Sequence, residues 1–296
     1  MKASALVFVC SALLLNAKNP GSRTAVLIID GQNNHDWQHT TPLLKKILED
    51  TGLFRVDVLT TPPKGADFSG FRPEFEKYRA VISNYNDFGG GAVWPAEVQA
   101  ALEEYVRNGG GFVSYHAADN AFPNWTAYNL MIGIGGWEGR DEKAGPFWYF
   151  RNERLVSDPT PGPAGNHGAR KPFQVTMRDR SHPIAKGLPE VWMHASDELY
   201  SRMRGPGENM TVLGTAFSDP QNRGSGHDEP MLIVLSYGKG RVFHTTMGHD
   251  SEAIQCVGFI TTFARGVEWA ATGKVTQEVP NDFPTADKVS TRTVMP

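Results

Sequence analysis

The chain has 296 residues, 40% hydrophobic and 21% charged, with 31 Gly, 20 Pro and 2 Cys. That balance excludes collagen-like, coiled-coil and wholly disordered chains, and the length allows one large α/β domain or two smaller ones with ample core. A net charge of -3 offers no basic field for nucleic acid or an anionic membrane, and two cysteines cannot build a disulfide framework or a Cys-rich zinc module.

Met1 and Lys2 make a short basic start, and Ala3 to Leu15 is an apolar run without charge. This thirteen-residue run is too short to cross ~30 Å of hydrocarbon as a helix, which takes about 20 residues. It fits the core of an export signal, so residues 1–17 read as a signal peptide cut after Ala17, with a periplasmic or extracellular destination. Cys10 follows Phe8 and Val9, with no small residue before it, which argues against a lipoprotein anchor. The mature chain then has Cys256 alone, expected on the core face of a helix from Glu252 to Ala271.

Thr24 to Asp30 is a continuous apolar run ending in Asp, as in a strand buried on both faces of a parallel sheet. A polar loop follows, and Thr41-Pro42 opens a helix through Asp50. Arg55 to Thr61 and Arg79 to Tyr85 read as strands. Pro95 to Asn108 reads as an amphipathic helix stopped by Gly109-Gly110-Gly111, and Gly111 to His116 as the next strand. This alternation predicts a doubly wound, mostly parallel α/β sheet. Trp125 to Ile132 suits a helix, whereas Gly133 to Ala169 is rich in Gly, Pro and aromatics without a clear period. A loop of that length in a compact domain points to function. Further strands are expected at Phe173–Met177, Asp197–Met203, Thr211–Phe217, Met231–Tyr237 and Arg241–Thr246, the last two joined at Gly238-Lys239-Gly240 as an antiparallel extension. No repeat or linker divides the chain, so residues 24–271 read as one domain and residues 272–296 as a polar, extended or loose strap.

Open parallel sheets bind ligands beyond the carboxyl ends of their strands. That edge collects Asp30, Asn33, His35 and His39, then Asn84, Asn86 and Asp87, then His116, Asp119 and Asn120, and finally His249 and Asp250. Each alone is an ordinary solvated loop residue; their convergence at one edge is the signal. His116 falls at a tight strand-to-helix turn that carries Ser or Cys in nucleophile-elbow enzymes. An imidazole there is a general acid or base near neutral pH, or a metal ligand. His35, His116 and His249, with Asp87, Asp197 or Glu198, could supply the open site of a catalytic divalent metal such as zinc. Asp197 and Glu198 are adjacent, at the expected start of a strand, so one can enter a pocket while the other braces a loop. Trp137, Glu138 and Arg140, with Trp125, Phe147, Trp148 and Tyr149 near in sequence, suit either an aromatic wall for a sugar or a plain covering core. No nicotinamide or flavin is expected, because Gly109-Gly110-Gly111 precedes its strand and so reverses the Rossmann order.

Five ordered motifs carry a resemblance: GGGFVSYHAADN at 109–120, IGGWEGR at 134–140, HPIAKGLP at 182–189, DELY at 197–200, and EPM with YGKGRVF at 229–243 followed by Gly248-His249. Together they resemble the ThuA-like, or trehalose-utilisation, family from about Ala25 to Ala271. The resemblance implies a flavodoxin-like fold of the class I glutamine amidotransferase type without its catalytic cysteine. In that fold the elbow position falls at His116 and the second catalytic position near His249, so glutamine hydrolysis through a thioester is not expected. The family's link to disaccharide and keto-sugar catabolism implies a small carbohydrate substrate. The combined expectation is an exported enzyme carrying out hydrolysis, elimination or isomerisation. His116 and His249 would be acid and base, Asp197 or Glu198 would orient them, and His35, Asn84, Asp87, Asp119, Trp137, Glu138 and Arg140 would bind the sugar. The alternative is a non-catalytic sugar-binding protein on the same fold.

Overall fold

The computed structural model describes residues 23–296, so the expected export signal and Cys10 lie outside the described residues. β1 (Thr24–Asp30) is buried from Val26 through Asp30, and its alternating side chains feed two cores. Val26 and Ile28 pack with Leu44 and Phe263 on one face; Leu27 and Ile29 pack with Val98, Leu102 and Tyr128 on the other. Apolar burial on both faces is why this strand reads as an unbroken hydrophobic run.

β1 lies between β2 (Phe54–Thr60) and β3 (Ala80–Ser83), and β4 (Gly111–Tyr115) follows β3, all parallel. The sheet continues through β11 (Gly240–Thr245), parallel to β4, and then turns antiparallel. Its next members are β10 (Asp228–Tyr237), β9 (Met210–Phe217), β7 (Lys171–Met177) and β8 (Val191–Asp197). β5 (Phe147–Arg151) and β6 (Arg154–Asp158) form a hairpin joined to β10 at Asp228 and Phe150. The expected parallel sheet with an antiparallel extension is therefore present. Helices α1 (Trp37–Asp50) and α5 (Val257–Thr272) contribute to the first core, and α2 (Ala96–Arg107) and α3 (Thr126–Ile132) to the second. Among the described residues no helix is long and apolar enough to cross a membrane.

Several boundaries differ from expectation. α1 begins at Trp37 because Asp36 caps it, its carboxylate accepting the His39 N–H, and Pro42 sits within the helix at the cost of one ladder bond. The strand expected at Asp197–Met203 is instead β8, which ends at Asp197. Residues 147–158, expected to be irregular, form the β5–β6 hairpin. The expected helix from Glu252 to Ala271 is two helices, α4 (Ser251–Ile254) and α5, with buried Cys256 in extended conformation between them.

The tail is an extended strap, and it is docked. Thr285 and Ser290 carbonyls accept the N–H groups of Met193 and Val257, and Arg292 N–H donates to Gln255. Val279, Phe283, Val289 and Val294 pack against the first core. A hydrogen-bonded backbone and four spaced apolar side chains hold a segment whose overall composition is polar.

Candidate functional site

Four strand ends meet at one edge. His35 lies in the loop after β1, His116 directly after β4, Glu198 directly after β8, and His249 after β11. β8 is four places from β11 in the sheet, yet Asp197 at its end hydrogen-bonds Gly248 and His249, so the sheet curls to close this edge. One donor atom from each of His35, His116, Glu198 and His249 lies within 4.8 Å of all the others. Glu198 Oε2 is 3.1 Å from His249 Nδ1, 3.7 Å from His35 Nε2 and 4.0 Å from His116 Nε2. The His35 ring stands nearly perpendicular to both other imidazoles, with centroids 4.9 and 4.7 Å away.

The surrounding hydrogen bonds set the tautomers. His116 has φ 44°, a left-handed backbone at the strand end, and its Nδ1–H donates to the Thr246 carbonyl at 2.7 Å. Nε2 therefore offers a lone pair, which the Tyr200 hydroxyl meets at 3.1 Å. Burial, reinforced by the neighbouring His35, pushes this imidazole down to about 3, so at neutral pH the ring is uncharged. His35 Nδ1 lies 3.1 Å from the side-chain oxygens of Asn33 and Asn34, whose shared donor is the Asn86 amide. Donation from Nδ1 leaves His35 Nε2 bare toward Glu198. Burial would raise the Glu198 carboxyl, but the His249 Nδ1 beside it and the surrounding imidazoles outweigh it and hold the group well below the usual carboxylate range.

Asp197 divides its carboxylate between both strand ends. Oδ1 accepts the N–H groups of Glu198 (2.8 Å) and His249 (3.0 Å); Oδ2 accepts Gly248 N–H (2.7 Å) and His194 Nε2–H (2.8 Å). Of the adjacent acidic pair, Glu198 enters the site and Asp197 braces the loop. Ligands at about 2.0–2.2 Å around a tetrahedral divalent ion stand roughly 3.3–3.6 Å apart. The spacings around Glu198 bracket that range, and outer hydrogen bonds that fix ring tautomers are how metal-binding histidines are oriented. The donor set fits a zinc-type ion.

Residues 25–270 match the ThuA family, described as trehalose utilisation. The chain belongs to the ThuA family. It is 49% identical to a ThuA-like protein from Parabacteroides merdae, with a TM-score of 0.88 over 91% of this chain and 98% of that one. A ThuA-like protein from Bacteroides uniformis is 18% identical, with a TM-score of 0.57 over 88% and 96% of the two chains. A cytoplasmic protein from Salmonella typhimurium is 13% identical, with a TM-score of 0.50 over 83% and 99%. The last two share the fold alone. No match is found among curated proteins.

In this ThuA-family chain a cavity of about 440 Å³ opens over the four-residue cluster. His35, Trp137, Glu198 and His249 line it, and His116 lies buried beside them in the cluster. Trp137 meets Tyr200 edge-on at 4.7 Å. Glu138 stands outside the lining, where its carboxylate accepts Gly89 N–H.

Four expected sugar-binding residues face elsewhere. Asn84 is buried and donates to the hydroxyls of Thr40 and Thr41. Asp87 accepts Phe122 N–H at 2.8 Å. Asp119 is sealed against His244 at 3.2 Å, with burial raising its carboxyl. The Arg140 guanidinium is taken up by the carbonyls of Asn120, Ala121 and Gly136 and by the Asn129 side chain. These groups are engaged by buried backbone and side-chain partners, so they frame the cavity instead of facing it.

The cavity also holds residues that the sequence reading left out of the site. Tyr200 reaches His116, His167 Nδ1 lies 3.6 Å from Glu198 Oε1, and Phe88 and Asp36 line the wall beside Asn120 and Asp250, which the sequence places at this edge. Tyr200 stands two residues after Glu198 in the DELY motif, a signal the sequence does contain. His167 lies in the aperiodic stretch whose length itself suggested function.

Proposed function

We propose that this chain is an exported, metal-assisted carbohydrate-active enzyme on a doubly wound, amidotransferase-like fold, acting on a disaccharide or keto-sugar derivative. One observation carries the reading: three imidazoles, two of them oriented by outer hydrogen bonds, and a carboxylate converge on one point beneath a cavity of sugar size. His35, His116, His249 and Glu198 would hold the cation. When bound, a divalent ion supplies Lewis acidity toward a sugar oxygen. The neutrality of His116 supports a ligand role over proton donation. Trp137 and Phe88 would pack against the apolar faces of a sugar ring, while Asn120, Asp36 and Asp250 take hydroxyls. His167, half-exposed at the rim beside Glu198, is placed to move a proton between substrate and solvent. Export is supported by the basic-then-apolar residues 1–17, and the carbohydrate substrate by the family's link to trehalose utilisation.

The test pairs elemental analysis of the purified chain and of His116→Ala with product analysis on a panel of disaccharides and their keto derivatives. About one divalent ion per chain, lost in the variant together with turnover, is the expected result. Sugar binding with no product from the loaded protein would turn the reading to a non-catalytic sugar-binding protein.

A further inference from the structure

His194 lies outside the cavity, fully buried in β8 with no exposed surface. Its ring packs between Phe173 and Trp192, with centroids 5.1 and 5.9 Å away, and the buried Cys256 sulfur adjoins it. Its Nε2–H donates to Asp197 Oδ2 at 2.8 Å. The other oxygen of that carboxylate holds the backbone N–H groups of Glu198 and His249. One rigid imidazole thus anchors the group that sets the spacing between two members of the cluster, which come from strand ends far apart in the chain.

We infer that His194 is a positioning residue for the metal centre, acting through Asp197 to hold Glu198 and His249 at ligand spacing. The inference rests on the metal-centre reading above. An ionised carboxylate accepts about four hydrogen bonds, and Asp197 makes all of them to protein N–H groups. Removing the His194 donor leaves a buried charge with three partners and frees the carboxylate to turn toward the remaining ones. The Glu198 and His249 backbones follow that turn. Burial alone would lower the His194 imidazole, but Asp197 and Cys256 raise it to about 9, in keeping with a proton held on the ring. Changes to such outer partners typically weaken metal affinity 10- to 100-fold.

The experiment titrates zinc into the chelator-stripped full-length chain, in competition with a chromophoric chelator, for wild type, His194→Leu and His194→Gln. The proposal expects zinc bound to all three. The leucine variant should bind about 10- to 100-fold more weakly, and the glutamine variant, which retains a donor, within about threefold of wild type. Equal affinity for leucine and wild type overturns the inference while leaving the metal centre standing; no zinc uptake by wild type overturns both. Thermal melts of the stripped proteins separate a local change from unfolding. Should the leucine variant fail to fold, ¹⁵N-histidine spectra of wild type decide. The His194 Nε2–H resonance should shift on zinc loading, and a resonance indifferent to zinc refutes the coupling.

Discussion

Asp197→Asn tests the keystone of the site with almost no change of shape. The amide can keep its oxygen toward Glu198 and His249, but its NH2 then faces the N–H of Gly248 and the Nε2–H of His194. Two hydrogen bonds to a charged group are lost, at about 1.5–3 kcal/mol each. His194 can recover one by moving its proton to Nδ1, which places the net loss at about 3 kcal/mol. In a domain of this size that corresponds to a fall in Tm of roughly 6–12 °C. Melting wild type and variant at pH 7 with a chelator present isolates the protein's own contribution. The sign with pH follows from Asp197, whose carboxyl is held below its ordinary 3.8, burial being outweighed chiefly by His194. Its contribution is present above the unfolded value and fades as pH falls through the folded one, so the two melting curves converge in acid. A Tm within about 3 °C of wild type at pH 7 would refute the keystone role.

Three further outcomes follow from the same structure. Burial raises the Glu229 carboxyl from 4.5 to about 7, so wild type loses about 3 kcal/mol as pH climbs through that interval. Glu229→Gln should therefore gain on wild type in urea midpoint between pH 5 and pH 8, and a constant gap would contradict this. Gly248 has φ +110°, and a Cβ there would lie 2.6 Å from Tyr115 and 2.8 Å from Phe259. Gly248→Ala should cost about 2–4 kcal/mol in denaturant unfolding and displace His249, so retention of full stability and zinc uptake would argue against it. Trp137 also has a left-handed backbone, which Asn tolerates, so Trp137→Asn removes the indole with little strain. Calorimetry should find sugar affinity weakened about tenfold with zinc binding unchanged; unaltered sugar affinity would remove Trp137 from the binding wall.

The parallel half of the fold was legible because its signals are local. A β1 that feeds two cores must be apolar along its middle, from Ala25 to Ile29, and α2 ends where Gly109 breaks it. Beyond residue 133 the signals become tertiary. The expected strand is displaced from β8 because Leu199, Tyr200 and Met203 carry enough apolar character to read as a strand themselves; only Asp197, tied to Gly248 and His249, shows where β8 stops. The candidate site divided in the same way. His35, His116 and His249 follow strands whose ends could be read directly. Asn84, Asp87, Asp119 and Arg140 also stand at that edge, and nothing in the sequence distinguishes a polar group facing a cavity from one spent on Phe122 N–H or the Asn120 carbonyl. Tyr200 and His167 enter through the curl of the sheet, which pairing order alone does not reveal.

The four converging residues come from stretches of chain that meet only when both halves of the sheet have formed. A folding intermediate with the parallel half alone would hold three imidazoles and no carboxylate. On the proposed metal-centre reading, cation capture would be coupled to completion of the whole domain, unlike a zinc finger, where neighbouring ligands organise a short segment. The bound ion would act as a late clasp. At a hundred times its dissociation constant it would add about 2.7 kcal/mol to the native state and nothing to a half-built one.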